Sequence, residues 1–582
     1  MRNEMKRKYE PIVNELQSEI PKNMKEKNIP GLAIALISKK GTIWEEGFGY
    51  TDMSRQQAVN TDTLFSLQST TKTVTTVAFL LAVQDGLVEL DALLVDYYPE
   101  FTVYSRYGTD QYKKITFRHL LSHTSGLTRE ARVGGVFNYV PCTFKEHIQS
   151  ISGSWLKFPV GKGFSYSNAG MDVVAYALEG ITGMSYPEYV QKRLGDLLGI
   201  TFYYNTKGVY NKKNAAKGHL GDAKAAPVDP VGLGCGAAHL SIADQAVFVR
   251  FLLNLGTVDG TSLLDAMYID AMRSVDKEGW YGLGTFVNKE YGTSISYHPG
   301  GGFGLCSEMY WVPEYDTGVA IFFNQEQPEA YNYISVLAKK AVKRMLGAQG
   351  VSTDKTDFPF VNTPSKKVDA AVLERLTGVY YGVWGSAKVT LDKGLHLEYS
   401  GKKVALTPHS ETAFSAESPH GVLFQVDDNC PVSLKMYSTG GILHMDYWGR
   451  PLSADGPKKD EWTEFTGLYH MNIYGTLPCF CAVKIEDDGY LHLKWEASER
   501  LYPHESIPTL FFMFHGDTVV FEEDHLHYDN VYWKKIDNPV VFLTELLRSP
   551  EHSSKKWIID ETAENLTYLG RNEEKEKVLQ LK

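Results

Sequence analysis

Dense cysteine, basic tracts and long apolar runs are all missing from this chain of 582 residues. No stretch approaches the ~20 consecutive apolar residues of a membrane-spanning helix. Lys and Arg total 59 against 70 Asp and Glu, a formal net charge of −11, and no long run of Lys or Arg breaks that balance. A mildly acidic chain of this kind has no electrostatic footprint for nucleic acid and no basic patch for anionic lipid. The six cysteines, Cys142, Cys235, Cys306, Cys430, Cys479 and Cys481, are scattered and form no disulfide scaffold. Cys479-Phe480-Cys481 has the wrong spacing for a zinc knuckle; in an alternating strand both sulfurs face one side, as two small apolar groups. The first 28 residues are charged and lack the apolar run of a secretory leader. The expected setting is therefore soluble, reduced and cytoplasmic, with neither nucleic acid nor membrane as a partner.

What is present is ordinary globular material, 43% apolar and 22% charged. It is spread over a length that predicts roughly three to four domains. Ile12, Leu16, Ile20 and Met24 repeat at helical spacing and stop at Pro30-Gly31. Two apolar runs, 32–37 and 43–50, flank a glycine turn at Gly41 and read as a hairpin. Helical patterns dominate from Thr61 to about Leu255: Val74, Val77, Ala78 and Leu81; Val173, Val174, Ala177 and Leu178; and 243–255. Strand patterns return at 295–297, 308–312 and 318–323. Strands at both ends with helices between predict an α+β domain over 1–348 whose sheet is closed by late strands.

A polar stretch with Pro359 and Pro364 predicts a linker at 349–366. Beyond it lie short strand runs at 387–391, 395–399, 423–426 and 442–447. This part repeats itself. Leu376-Thr377-Gly378-Val379-Tyr380 resembles Phe465-Thr466-Gly467-Leu468-Tyr469, and 394–397 resembles 489–493. The expectation is two small antiparallel barrels, 367–458 and 459–582, the second with a mixed tail from about Asn538.

Ser69 and Lys72 lie three residues apart where the helix of Val74, Val77 and Leu81 begins. That spacing puts an amine one turn from a hydroxyl, and the helix start adds unpaired N–H groups and partial positive charge. A weak nucleophile is activated in this way. Ser-x-x-Lys alone says little, since it also begins at Ser154, Ser274, Ser352, Ser400 and Ser553. Two further elements follow in order: Tyr166-Ser167-Asn168, directly before the helix of Val173, and His298-Pro299-Gly300-Gly301, after a short strand.

Together these three elements resemble the serine β-lactamase and penicillin-binding-protein superfamily. The likeness is to its class C-like branch of β-lactamases, esterases and D-aminopeptidases, whose motifs are Ser-x-x-Lys, Tyr-x-Asn and Lys-Thr-Gly or His-x-Gly. Leu120-Leu121-Ser122-His123-Thr124-Ser125-Gly126-Leu127, Gly86-Leu87 with Asp91, and Tyr98-Pro99-Glu100-Phe101 carry the same likeness. It covers roughly residues 10 to 345 and implies a β-lactamase-like fold, an antiparallel sheet flanked by a helical subdomain. The C-terminal barrels resemble the lipocalin-like accessory barrels of D-aminopeptidase-type members.

The resemblance implies that Ser69 is the acylated nucleophile, Lys72 its proton acceptor or relay, and Tyr166 the partner base, as a phenolate stabilised by Lys72. Asn168 would orient Lys72 and the substrate amide. The N–H groups of Ser69 and Gly301 would form the oxyanion hole, and Gly300 and Gly301 would let the strand edge come close to the acyl group. His123 is expected to be structural. His298-Pro299-Gly300 stands where relatives have Lys-Thr-Gly, and it lacks the cation and hydroxyl that grip a substrate carboxylate. The implied activity is esterase or D-aminopeptidase-like hydrolysis of esters or amides of small acyl or D-amino-acid groups.

The alternatives are a penicillin-binding DD-peptidase or β-lactamase, or a non-catalytic member of the fold. The substrate is a small molecule or short peptide, and self-association stays open. No cofactor and no metal are expected: His525 and His527 would share one face of a strand, but no third ligand is evident in the sequence. Met471-Asn472-Ile473-Tyr474-Gly475 is the candidate for a barrel loop that reaches the cleft.

Overall fold

A computed structural model of the chain describes residues 2–582 except 136–139, 222, 226–230, 276–278, 354–363, 383–384, 400–401, 418–420, 428–429, 439–440, 450–459, 474–476, 496–497, 505, 514–515 and 549–554. Its first sheet has six antiparallel strands: β1 (Gly31–Ser38), β2 (Gly41–Gly49), β3 (Phe286–Glu290), β4 (Thr293–Gly302), β5 (Leu305–Val312) and β6 (Thr317–Phe323), in the order β2-β1-β6-β5-β4-β3. The late strands thus pair with the first hairpin, β6 lying beside β1.

Strand alternation explains why 32–37 is a continuous apolar run. Leu32, Ile34 and Leu36 face a layer made by the helices Arg2–Glu26 and Pro328–Ala348, where they meet Leu16, Ile20, Leu337 and Met345. Ala33, Ala35 and Ile37 face the helical region, where Val74, Val77 and Val249 pack. The sheet is covered on both sides, so neither face of β1 has room for a polar side chain.

One feature of the register matters for the site. β3 pairs with β4 only from Thr293 to Tyr297. From His298 to Gly302, β4 keeps β5 on one side but has no strand partner on the other among the described residues. That leaves a strand edge able to pair with an extended ligand.

In the C-terminal part, strands from Gly378–Gly382 to Gly441–Gly449 form a nine-stranded antiparallel sheet. Its edge strands, Lys402–Ala405 and Thr407–Pro408, are separated in the chain by Leu406 alone, so the sheet curls round until its edges are neighbours. The second unit closes fully: eight strands, from Gly467–Ile473 to Val531–Ile536, with Leu468 opposite Ile536. Both interiors are packed with apolar side chains, and Cys479 and Cys481 share the inside of the closed barrel.

The sequence repeat is reproduced atom by atom. The Tyr380 hydroxyl donates to the Leu376 carbonyl at 2.8 Å, and the Tyr469 hydroxyl donates to that of Phe465 at 2.7 Å. Gly378 and Gly467 have φ of 148° and 152°, in the region that favours glycine. The tail from Asn538 resolves into helices Pro539–Leu546, Lys555–Tyr568 and Asn572–Leu579, which cover Leu468, Phe480 and Ile536 on the outside of the barrel. The middle of the expected linker, 354–363, and the expected boundary between the two C-terminal units at 458/459 lie outside the described residues, as do residues 474–475 of the loop proposed to reach the cleft.

Candidate active site

The strand Leu64–Ser66 runs into Gln68, whose φ of 47° is a strained conformation for a residue with a side chain. The Gln68 amide donates to Ser66 Oγ at 2.9 Å and holds this kink. Ser69 sits in the kink, in the short turn Gln68–Thr70 that leads into the helix Thr71–Gln84. Lys72 follows one turn later and is fully buried. Its Nζ donates to Ser69 Oγ at 3.1 Å and to the Cys235 carbonyl at 2.8 Å. Lys72 makes no ion pair among the described residues, so the amine is held by neutral acceptors only.

Tyr166 arrives from the segment before the helix Asn168–Thr182. Ser167 caps that helix, accepting from the Gly170 N–H at 2.8 Å and donating to the Thr128 carbonyl at 2.6 Å. Lys72 Nζ stands 4.8 Å from the centre of the Tyr166 ring, and the Arg129 guanidinium stands 5.4 Å from it. Two basic side chains thus border the phenol ring.

Asn168 is placed differently from expectation. Its amide nitrogen donates to Glu130 Oε1 at 2.5 Å rather than engaging Lys72, and its buried Oδ1 has no hydrogen-bond partner among the described residues. The carboxylate of Glu130 takes the amide because both are buried at the end of the 128–130 segment, where an unpaired carboxylate would be costly.

The glycine edge meets the nucleophile turn. A Cβ on Gly300 would lie 2.6 Å from the Leu67 carbonyl and 2.9 Å from Ser69 N, so only glycine lets β4 approach so closely. A Cβ on Gly301 would lie 2.7 Å from the ring of Tyr331. Ser307, opposite Gly300 in the register, donates to the same Leu67 carbonyl at 2.6 Å.

His298 is fully buried. Its Nδ1 donates to the Pro299 carbonyl at 2.7 Å, which leaves Nε2 to accept from the Tyr281 hydroxyl at 3.3 Å. Burial first, and then the charge of Lys72, push its pKa down to about 3. The ring is therefore neutral at physiological pH. His123 is also buried, with its ring 4.5 Å from that of Tyr166; burial and the nearby cations hold its pKa well below the usual value.

The structure thus brings Ser69, Lys72, the Tyr166 ring and the Gly300 edge together, and directs the Asn168 amide elsewhere. Sequence reasoning missed Arg129, Glu130 and the Cys235 carbonyl. Arg129 and Glu130 follow the 120–127 block after Thr128 alone, and that closeness was the available signal; a backbone carbonyl leaves none.

The segment that holds Asn168 is itself held by the closed barrel. The Asn530 amide donates to Thr128 Oγ1 at 3.0 Å, the Glu130 carbonyl at 3.1 Å and Ser154 Oγ at 2.8 Å. Asp529 accepts from the Arg129 N–H at 3.3 Å. Lys157 Nζ lies 2.5 Å from Asp517 and 2.9 Å from Asp529. Hairpin 529–530 of the barrel thus contacts the catalytic domain at this segment, while residues 474–475 of the loop expected from the sequence to reach the cleft lie outside the described residues.

A serine backed by a buried lysine at a helix head, a tyrosine from a second segment and a glycine strand edge, on this sheet, define the β-lactamase and penicillin-binding class of serine hydrolases. The family model "Beta-lactamase" matches residues 16–342, more than half of the chain, and the chain belongs to that family.

Among relatives, it is 25% identical over 437 residues to Penicillin-binding protein 4* of Bacillus subtilis, covering 68% of this chain and 90% of that protein. It is 22% identical to the unguisins hydrolase ungD' of Aspergillus campestris, covering 69% and 82%. It is 26% identical to Beta-lactamase-like protein 2 of Dictyostelium discoideum over 44% of this chain, a match that spans only 48% of that relative. Among solved structures, the octameric penicillin-binding protein homologue of Pyrococcus abyssi superposes with a TM-score of 0.51 at 22% identity, over 74% of this chain and 99% of that one. SurE superposes with 0.53 at 19% identity, over 74% and 98%. Both likenesses are of fold. No helix among the described residues is long and apolar enough to cross a membrane.

Proposed function

We propose that this protein hydrolyses esters or amides of small acyl or D-amino-acid groups through an acyl-enzyme on Ser69. The observation that carries the reading is the buried Lys72 amine, 3.1 Å from Ser69 Oγ and without an ion pair among the described residues. Ser69 Oγ attacks the substrate carbonyl while its proton passes to the Lys72–Tyr166 pair, which then delivers it to the leaving group. Negative charge on the carbonyl oxygen is met by the N–H groups of Ser69 and Gly301. Water then attacks the acyl carbonyl and returns the proton to Ser69.

Neutral His298 at the position of the family's lysine supports uncharged acyl groups over substrates that end in a carboxylate. A D-amino-acid preference is also supported by likeness, since SurE, which shares the fold, has been solved with D-Leu. The competing reading, a DD-peptidase or β-lactamase, draws support from the relative named Penicillin-binding protein 4*. Self-association belongs to the same reading, through the octameric homologue. The five described cysteines are free thiols, which supports a reducing, cytoplasmic setting.

The test is a substrate panel of p-nitrophenyl esters, D- and L-amino-acid anilides and nitrocefin, run on the wild type and on Ser69→Ala, together with labelling by a fluorophosphonate. We expect label on Ser69 and turnover of esters or D-anilides that Ser69→Ala abolishes. A fully active Ser69→Ala, or a wild type that neither labels nor turns over, rejects the reading, and a preference for nitrocefin transfers it to the β-lactamase alternative.

A further inference from the structure

His525 and His527 lie two apart on one strand of the closed barrel, so their rings share its outer face while Leu526 points into the core. The sequence offers no obvious third partner. The hairpin supplies one. The strand Thr518–Phe521 turns back into His525–Tyr528, and the Glu522 N–H donates to the His525 carbonyl at 2.9 Å, which sets the two residues opposite each other. Glu522 Oε2 lies 3.0 Å from His525 Nε2, and Oε1 lies 3.7 Å from His527 Nε2. A nitrogen from each ring and a carboxylate oxygen all fall within 4.8 Å of one another.

A tetrahedral zinc ion with Zn–N and Zn–O bonds of about 2.0–2.2 Å needs ligand atoms roughly 3.3–3.6 Å apart. The two separations from Glu522 bracket that value. The other nitrogen of His525 faces the Asp524 carboxylate at 2.9 Å, and an outer carboxylate of this kind fixes ring orientation at metal-ligating histidines. The rings are mostly shielded, with 18% and 14% of their side chains exposed, whereas Glu522 at 46% leaves an approach from solvent. The ring of Tyr532 backs both imidazoles at 4.7 and 5.7 Å.

The geometry points to a binding site for a divalent transition-metal ion of zinc type, held by Glu522, His525 Nε2 and His527 Nε2 with a fourth position open to solvent. Two imidazoles and one carboxylate favour such an ion over magnesium or calcium, which prefer all-oxygen sites. The site lies on the barrel and takes no part in the chemistry at Ser69. It clips the two ends of the turn in the hairpin whose far end, 529–530, holds the catalytic segment 128–130. One cation already borders it, the Arg132 guanidinium 3.9 Å from Glu522 Oε1, and the metal would displace that contact.

The test is calorimetric titration of the chelator-stripped full-length protein with Zn²⁺, and with Mg²⁺ as the contrast. We expect one Zn²⁺ per chain, with Mg²⁺ failing to compete. His525→Ala/His527→Ala should remove that binding event, and Glu522→Gln should weaken it at least about tenfold. Hydrolysis by the metal-free variants reports that each is folded. Absence of a stoichiometric Zn²⁺ event in the wild type overturns the proposal, as does its survival with unchanged affinity in both variants.

Discussion

Among the described residues, two Ser-x-x-Lys segments carry a buried lysine, and the same spacing produces opposite arrangements. At Ser69 the segment runs through a tight turn into a helix, and amine and hydroxyl meet at 3.1 Å. At Ser154 the backbone is extended, with ψ of 162° after the short turn Ile151–Gly153. There the two side chains part company: Ser154 Oγ accepts from Asn530, while Lys157 goes to Asp517 and Asp529. The electrostatics differ just as much. Lys157 is neutralised by two barrel carboxylates, as a buried charge requires if it is to serve only as a joint. Lys72 is given a hydroxyl and a carbonyl instead, while the buried carboxylate of Glu130 accepts from Asn168. A lysine that must exchange a proton is kept away from partners that would hold the proton fast.

The sharpest way to break this contrast is to remove the amine at each site. Lys72→Met should lower kcat/KM by about 10³-fold or more on the best ester substrate while leaving chemical denaturation unchanged or slightly improved, because the group that relays the Ser69 proton is lost and a buried polar amine with it. Lys157→Met should do the reverse. It strands Asp517 and Asp529 without a cation and should cost about 3–5 kcal/mol of stability in a denaturant titration, with kcat per folded molecule retained. If Lys157→Met abolishes turnover at full stability, or Lys72→Met unfolds the chain at full specific activity, the division of labour is wrong.

The contrast also marks how much could be read in advance. Ser69 and Lys72 were legible because one helical turn joins them, and His298 to Gly301 because the motif sits at a strand end. The sheet was legible from its apolar runs, and the barrel units from the Leu-Thr-Gly-Val-Tyr repeat, whose tyrosines make the same hydrogen bond in both copies. The joint between barrel and catalytic domain was not legible. Asp529 and Asn530 form a hairpin turn with φ of 47° and 72°, a role their residue types predict. Their partners at 128–130 and 154–157 lie some 370 to 400 residues away, and no local pattern encodes such a pairing. The third member of the His525–His527 cluster was hidden for the same reason on a shorter scale, since Glu522 faces them only once the strand has turned back.

A smaller effect sharpens the joint itself. Asn530 places one amide against three acceptors in the catalytic domain. Asn530→Ala takes a donor from each of these groups, although Thr128 Oγ1 still donates to the Glu130 carbonyl at 3.0 Å, and should cost about 1–3 kcal/mol. The Glu130 carbonyl is among them, and Glu130 holds Asn168, so kcat should fall several-fold with KM nearly unchanged. Asn530→Asp, which cannot donate, should behave like Ala; a variant with full stability and full kcat would show that the barrel is a passenger.

The smallest expected effect on turnover concerns His298, and it separates electrostatics from packing at the site. With its pKa at about 3 in the folded protein and about 6.5 in the unfolded chain, the unfolded state binds a proton between those values that the folded state does not. This contribution to stability is therefore complete above about pH 6.5 and is lost as the pH falls toward 3. Denaturation midpoints measured from pH 7 to pH 4 should decline, and His298→Gln, which cannot titrate, should decline less steeply. Over the same range in which a free histidine would switch, roughly pH 5.5 to 7.5, kcat/KM of the wild type should show no inflection that His298→Gln removes. A lysine at this position would present a fixed cation there; a buried neutral imidazole whose Nδ1 is committed to the Pro299 carbonyl presents none, and a substrate carboxylate therefore gains nothing from acidification within this window. An inflection near pH 6.5 that vanishes in His298→Gln would mean that the ring does charge during turnover, and the preference for uncharged acyl groups would fall with it.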